Sequence, residues 1–218
     1  MGRIYILGAG GLAREVLNIY IDCGREGEVA GFLEENCKRR GEILNGKPVD
    51  DVSILENADR NEIKLICAIG TPLRRRLIEY TEGLGYDYDT VVHPSVIKSR
   101  WVTFGKGNII CAGNIFTSQI TVGDHTIINY GCTIGHDVRI GKYCTISPGV
   151  HISGRVKIGD GVFIGTGAVI IPDVSIGNNS VIGAGAVVTK NIPENTLAVG
   201  VPAKPVRRLT EADWRRVI

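Results

Sequence analysis

The chain has 218 residues, 44% of them apolar, and a formal net charge of +2 from 25 basic and 23 acidic side chains. That length allows one or two domains, the balanced charge argues against nucleic acid or an anionic membrane surface as the main partner, and no apolar run of about 18 residues is present to span a bilayer. Six cysteines (Cys23, Cys37, Cys67, Cys111, Cys132 and Cys144) contain no C-x-x-C pair, so no zinc or disulfide framework is expected and the thiols read as those of a reduced, cytoplasmic protein.

In chain order, residues 3–8 read as a buried strand, with no apolar leader before it. The stretch Ala9–Leu17 turns and opens a helix. Val29–Leu33 is a second strand ending at Glu34-Glu35, and Ile63–Ala68 a third closing on Gly70. Thr71-Pro72 then starts a helix of about ten residues, Thr as N-cap and Pro in the first turn. Alternating strands and helices predict a parallel sheet covered on both faces. Gly8-x-Gly10-x-x-Ala13 fits a phosphate-binding turn, with acidic residues following the next strand. Taken alone, the turn is equally a packing device between strand and helix. A unit of this size holds one nucleotide-binding half rather than two, which argues against hydride transfer and favours a nucleoside-diphosphate compound as ligand.

From Phe104 to Val188 every sixth residue is large and apolar: Phe104, Ile110, Phe116, Val122, Ile128, Ile134, Ile140, Ile146, Ile152, Ile158, Ile164, Ile170, Ile176, Ile182 and Val188. Neither the helical nor the strand period explains this. Hexapeptide repeats do, wound as a parallel β-solenoid with three flats per coil, in five coils. Four residues past most anchors comes a small or β-branched residue, Cys132 and Cys144 among them, expected to face inward. One residue past is often Gly, expected to supply the dihedrals of a tight bend. Val92–Val96 keeps the register and Lys98 breaks it, so an imperfect first coil joins the two units. Beyond Val206, Thr210–Arg216 reads as a short helix that caps the solenoid, with Trp214 as packing material. The domains are thus 1–91, 92–206 and a cap over 207–218.

Four histidines are candidates for chemistry. His136 lies two residues past its anchor, near a corner, with Asp137 beside it; an imidazole oriented by a carboxylate is a ready general base. A solvated corner histidine is the plain alternative. His93 precedes Pro94 and reads as structural, while His125 and His151 read as exposed corner residues, His151 being the reserve base. His125, His136 and His151 occupy different hexad positions and are not expected to converge as the three ligands of a zinc enzyme. Cys144 belongs to the inward column and is a poor nucleophile.

The Gly8-Ala9-Gly10-Gly11 turn, the hexad array, Gly135-His136-Asp137 and the closing Gly200-Val201-Pro202-Ala203-Lys204 together resemble one family, the two-domain sugar O-/N-acyltransferases of the sialic acid O-acetyltransferase type. That family includes bacterial nucleotide-aminosugar N-acetyltransferases. The likeness covers nearly the whole chain. It implies a Rossmann-like α/β half domain followed by a left-handed parallel β-helix, a homotrimer, and acetyl-CoA held between neighbouring helices, with no metal. By the same likeness His136 is the general base, Asp137 tunes it, and Gly154 offers an N–H to the thioester oxygen. Gly8, Gly10, Gly11, Leu12, Glu34, Glu35 and Gly70 would hold the nucleotide-linked sugar, with Asn129 near its ring. Thr145, Thr166, Ala184, Pro202, Ala203 and Lys204 would border the coenzyme, as would Gly154. Leu12-Ala13 stands where many relatives have Gly-His, and Thr145 where some have a second histidine. The resemblance implies N-acetylation of a nucleotide-linked aminosugar in bacterial glycan synthesis. O-Acetylation of a sialic acid, a metal-dependent solenoid enzyme of the γ-carbonic anhydrase kind, and a non-catalytic sugar-binding scaffold are the alternatives.

Overall fold

The computed structural model describes residues 3–71, 74–210 and 213. The front unit runs β1 (Arg3–Leu7), α1 (Gly11–Asp22), β2 (Val29–Glu34), β3 (Ile43–Leu44), β4 (Lys47–Asp51), β5 (Ile63–Cys67), α2 (Arg75–Gly83) and β6 (Asp87–Tyr88). They form one sheet in the order β3-β4-β2-β1-β5-β6, parallel except for the β3–β4 hairpin. That hairpin, like β6, was not expected. Its signal is Asn45-Gly46, whose backbone is left-handed at both residues, the pairing a two-residue type I′ turn demands. The second helix begins at Arg75, later than expected, and Arg74 N–H turns back to the Thr71 carbonyl at 3.1 Å. Pro72 lies outside the described residues.

The rear unit is a triangular prism of parallel strands. Its first face stacks Val91–Val92, Ile109–Ile110, Ile127–Ile128, Thr145–Ile146, Phe163–Ile164 and Val181–Ile182. The second stacks Ile97–Lys98 up to Val187–Val188, and the third Val102–Phe104 up to Ser175–Ile176. Strands pair with those 18 residues on, as Ile134 does with Ile152, except at the top of the prism, where Val181 pairs with Leu197. All anchors from Ile110 to Val188 are buried, as are Cys132 and Cys144. Phe104 is half-buried and packs edge-on against Phe116, ring centroids 5.2 Å apart. Lys98 sits at an inward register but in the lowest coil, where the prism is open and the charge stays exposed.

Two expectations need correction. The glycines one residue past the anchors are not the bends. The left-handed backbone lies two residues further on, at Gln119, His125, Asp137, Tyr143, Arg155 and their equivalents. The former glycines serve the spacing of the coils: a Cβ on Gly135 would stand 2.6 Å from the Gly154 nitrogen, and one on Gly123 2.7 Å from the Gly141 carbonyl carbon. The second correction concerns the cap. Arg207 and Arg208 belong to a strand, Lys204–Arg208, that folds back antiparallel on Thr196–Val199 and ends the first face. Of the expected helix only Thr210 and Asp213 are described, closed into a turn in which the Asp213 carboxylate accepts from the Thr210 N–H at 2.8 Å. Trp214 lies outside the described residues.

Front unit and prism share a core. Buried α1 residues Val16, Leu17, Ile19 and Tyr20 belong to one cluster with Val91, Ile109 and Ile127 of the first face. His93 ties the same helix down, its Nε2 lying 3.0 Å from Asp22.

Candidate active site

A cleft of about 750 Å³ opens outside the carboxyl ends of β1, β2 and β5, the place where open α/β sheets bind ligands. Gly8, Gly10, Gly11, Leu12, Glu34, Glu35 and Gly70 all line it. Gly8 has φ +102°, and a Cβ there would press on Ile69 and Ala68. A Cβ on Gly10 or Gly11 would meet nothing within 4 Å. The chain therefore leaves room for a ligand at the start of α1, where the N-cap Gly10 has no side chain to cap the first turn. Lys38 and Arg39, unexpected from the sequence, line the cleft as well. Arg39 pairs with Glu34 at 2.6 Å and donates to the Ala9 carbonyl at 3.1 Å, bracing the acidic residue against the glycine turn. The basic run Lys38-Arg39-Arg40 just past β2 was the available signal.

His136 stands at the corner between the second and third faces, opposite the first face on which the front unit packs. Its Nδ1 lies 2.7 Å from Asp137 Oδ2. In the tautomer with its proton on Nδ1, the ring donates to the Asp137 carboxylate and presents the Nε2 lone pair. The ring lies against Gly154 of the next coil, where an added Cβ would fall 2.6 Å from Nε2. Asp137 can flank the histidine because it takes the left-handed turn position, φ +60°, which Asp tolerates better than most residues.

The Gly154 N–H at this corner has no acceptor among the described residues. The contrast with the corner between the third and first faces explains it. There the N–H groups of Lys106, Lys142 and Asp160 are each taken by a side-chain oxygen one coil up, from Asp124, Asp160 and Asn178. One coil above Gly154 stands Pro172, with no side-chain acceptor. The corner therefore combines an imidazole lone pair with a free peptide donor. A second cleft, about 510 Å³, begins at Asp137 and is flanked by Arg100, Trp101 and Arg139.

Other expected residues are dispersed. Thr166 and Ala184 are exposed at the corner between the first and second faces, so they stand across the second face from Gly154. Pro202 and Lys204 are exposed near the top of the prism, where the Ala203 N–H binds the Val187 carbonyl at 2.8 Å. Asn129 donates to the Ile146 carbonyl at 3.2 Å, at the corner between the first and second faces rather than at the His136 corner. Thr145 is a correction: it is buried between the two units, its hydroxyl donating to the Gly70 carbonyl at 2.9 Å, which leaves it no free face for a coenzyme.

The remaining histidines separate clearly. His125, expected as an exposed corner, is buried beneath α2, stacked on Tyr143 and edge-on to Tyr88, with Nε2 3.2 Å from Glu82. Burial pushes its imidazole below the ordinary value, against the pull of Glu82. The covering unit is the physical reason, since a hexad position specifies a corner and not what lies over it. His151 sits on the second face, its Nδ1 2.8 Å from the Thr133 hydroxyl. Among the described residues no three metal-ligating side chains gather. Burial pushes the Cys144 thiol up to about 12, far from a thiolate nucleophile.

Residues 3–80 match the PglD N-terminal domain, and residues 120–154 and 155–190 match the bacterial transferase hexapeptide family (six repeats). No curated protein sequence matches the chain. PerB from Caulobacter crescentus, solved with CoA and GDP-perosamine, is 33% identical over 95% of this chain and 98% of its own, with a TM-score of 0.87. The perosamine N-acetyltransferase of that organism, solved as a histidine-to-asparagine mutant with the same two ligands, is 32% identical with a TM-score of 0.88 at the same coverage. The acetyltransferase domain of PglB from Neisseria gonorrhoeae is 30% identical over 94% of this chain and 100% of its own, with a TM-score of 0.87. A nucleotide-type cleft, a hexapeptide prism and relatives matched over nearly their full length lead to one assignment: the chain belongs to the two-domain hexapeptide-repeat sugar acyltransferases, in which a PglD-type N-terminal domain precedes the solenoid.

Proposed function

We propose that this protein transfers the acetyl group of acetyl-CoA to the amino group of a nucleotide-linked aminosugar, with His136 as general base. The observation that carries the proposal is the corner itself: His136 Nδ1 held by Asp137 at 2.7 Å, its Nε2 face against Gly154, and the Gly154 N–H unclaimed. The relatives solved with CoA and GDP-perosamine support the choice of both substrates and of N- over O-transfer.

In this mechanism the sugar amine attacks the thioester carbonyl while Nε2 of His136 takes the amine proton. A C–N bond forms and the carbonyl oxygen becomes an oxyanion, which the Gly154 N–H stabilises. The C–S bond then breaks, and the proton passes from His136 to the departing thiolate of CoA. Both substrates are held together, so orientation supplies much of the rate and no acyl-enzyme forms.

The nucleotide cleft and His136 lie on opposite sides of one prism, so the base is served by a neighbouring copy. The second face suits that contact. Its outward residues are Ile97, Ile115, Thr133, His151, Val169 and Val187, with Ile97 64% exposed. The third face turns out Arg139 and Lys157 instead. Packing second faces in a homotrimer brings the corner carrying Gly154 beside the corner carrying Thr166 and Ala184 of another copy, which gives acetyl-CoA a groove between chains. Both substrates are cytoplasmic compounds, and the enzyme works there.

The test is to offer acetyl-CoA with a panel of GDP- and UDP-linked amino sugars and free sialic acids, and to measure CoA release. Turnover is expected with a nucleotide-linked amino sugar; turnover with sialic acids alone makes the enzyme an O-acetyltransferase. His136→Ala should lower kcat by roughly 10²–10⁴-fold while both substrates still bind. Near-normal turnover in that variant removes His136 from the role.

A further inference from the structure

Arg74 is 1% exposed, and among the described residues no carboxylate pairs with it. Its guanidinium instead fans over oxygens from both units. Nη1 donates to the Thr71 carbonyl at 3.0 Å and to the Thr145 hydroxyl at 2.8 Å. Nη2 donates to the carbonyls of His125 and Cys144 at 2.9 and 2.7 Å. Thr145 passes the chain of bonds on, donating to the Gly70 carbonyl at 2.9 Å. Burial lowers the guanidinium pKa to about 10, which leaves the charge in place at neutral pH.

Burying a cation without a counter-ion is costly, and the units already adhere through apolar contacts at Val91, Ile109 and Ile127. Adhesion therefore does not account for Arg74. What the fan selects does. The segment it grips on the front unit is the rim just after β5, and Gly70 of that rim lines the nucleotide cleft. Its other partners belong to the coils around His125, Cys144 and Thr145. We propose that Arg74 and Thr145 are positioning residues for the nucleotide, fastening the Gly70 rim of the cleft to the solenoid so that the prism, and not the front unit alone, sets the shape of the nucleotide site.

The inference rests on the cleft taking a nucleoside diphosphate, so the experiment reads that first. Calorimetric titration of the full chain with GDP, UDP and CoA is compared for wild type, Thr145→Val, Thr145→Ser and Arg74→Lys. The wild type should bind GDP or UDP. Thr145→Val removes the donor to Gly70 and should weaken that nucleotide about 3–12-fold, while CoA binds as before. Thr145→Ser restores the donor and the affinity. Arg74→Lys keeps the charge but loses the fan, and should weaken the nucleotide at least as much as Thr145→Val, again sparing CoA. Wild-type nucleotide affinity in Thr145→Val or in Arg74→Lys overturns the proposal. Equal loss of nucleotide and CoA in both Thr145 variants also overturns it, since that marks general disruption. A wild type that binds neither GDP nor UDP refutes the assignment of the cleft, and the positioning role falls with it.

Discussion

Replacing Gly154 by Ala separates the placement of the proposed base, His136, from everything else at the corner. Gly154 does not use a left-handed backbone, so alanine can adopt its conformation, and the Gly154 N–H is retained. The cost is confined to contact: the new methyl would lie 2.6 Å from Nε2 of His136, 2.7 Å from Cε1 and 3.0 Å from Cδ2. Carbon contacts prefer 3.5–4.0 Å, so the ring must recede by about 1 Å. It has room to do so, because the His136 side chain is 55% exposed. Stability should therefore change by less than about 1 kcal/mol. The shift, however, turns Nδ1 away from Asp137 and carries Nε2 off the line of proton transfer. A misplacement of about 1 Å costs on the order of 10²-fold in rate. The assay is kcat from CoA release, read beside the thermal transition of the same sample. A folded Gly154→Ala enzyme with kcat within about threefold of wild type would refute the claim that the ring acts from this place.

Asp137→Asn keeps the left-handed turn but removes the carboxylate that orients the imidazole; kcat should fall about 10–100-fold with little change in KM, measured by steady-state kinetics. Ile146→Ala opens a void in the fully buried inward column and should cost about 2–5 kcal/mol, seen as a lower midpoint in urea unfolding. His125 predicts an acid limb. Its folded-state pKa is lowered by burial, so below the ordinary imidazole value of about 6.5 the unfolded chain binds more protons than the folded one. Its contribution to stability is complete above that pH and is lost as pH falls toward the folded value. Glu82, Lys106 and Asp124 are the charged groups that act on it. His125→Asn, compatible with the left-handed backbone, should lose less thermal stability than wild type between about pH 7 and pH 5. Equal pH slopes in the two proteins would remove His125 as the cause.

The prism was legible because an apolar anchor at every sixth residue has no other structural use, and the corner position of His136 followed from its offset in the hexad. The glycine turn was ambiguous, a phosphate cradle or a packing device, and the structure shows Gly8, Gly10 and Glu34 lining a cleft. Three features were hidden by different physics. Thr145 and His125 occupy outward positions, and only the docking of the front unit decides that those positions are covered. Arg39 lies in a basic run that reads as solvated surface until its fork meets Glu34 and Ala9. The Asn45-Gly46 hairpin was masked by its flanks, because Ile43–Leu44 is short and Lys47–Asp51 is polar and carries Pro48. The glycine column was seen but misassigned, since close approach between coils and a left-handed backbone both select Gly.

The hexad divides its labour, and the division explains why the proposed chemistry falls at this corner. The anchor column fills the prism. The column after it is small because neighbouring coils nearly touch there, as at Gly123 and Gly135. The third column after the anchor takes the left-handed turn. Among the corner positions the second column carries no common demand, so its residues vary by corner. Between the third and first faces Asp124, Asp160 and Asn178 use it to satisfy the peptide groups of the coil below. Between the second and third faces the same column reads Ser118, His136, Gly154 and Pro172. Pro172 leaves the Gly154 donor open, and Gly154 makes room for the His136 ring. The corner proposed for the chemistry is thus a sealed corner with its capping side chains replaced, and the fold need not distort to hold it.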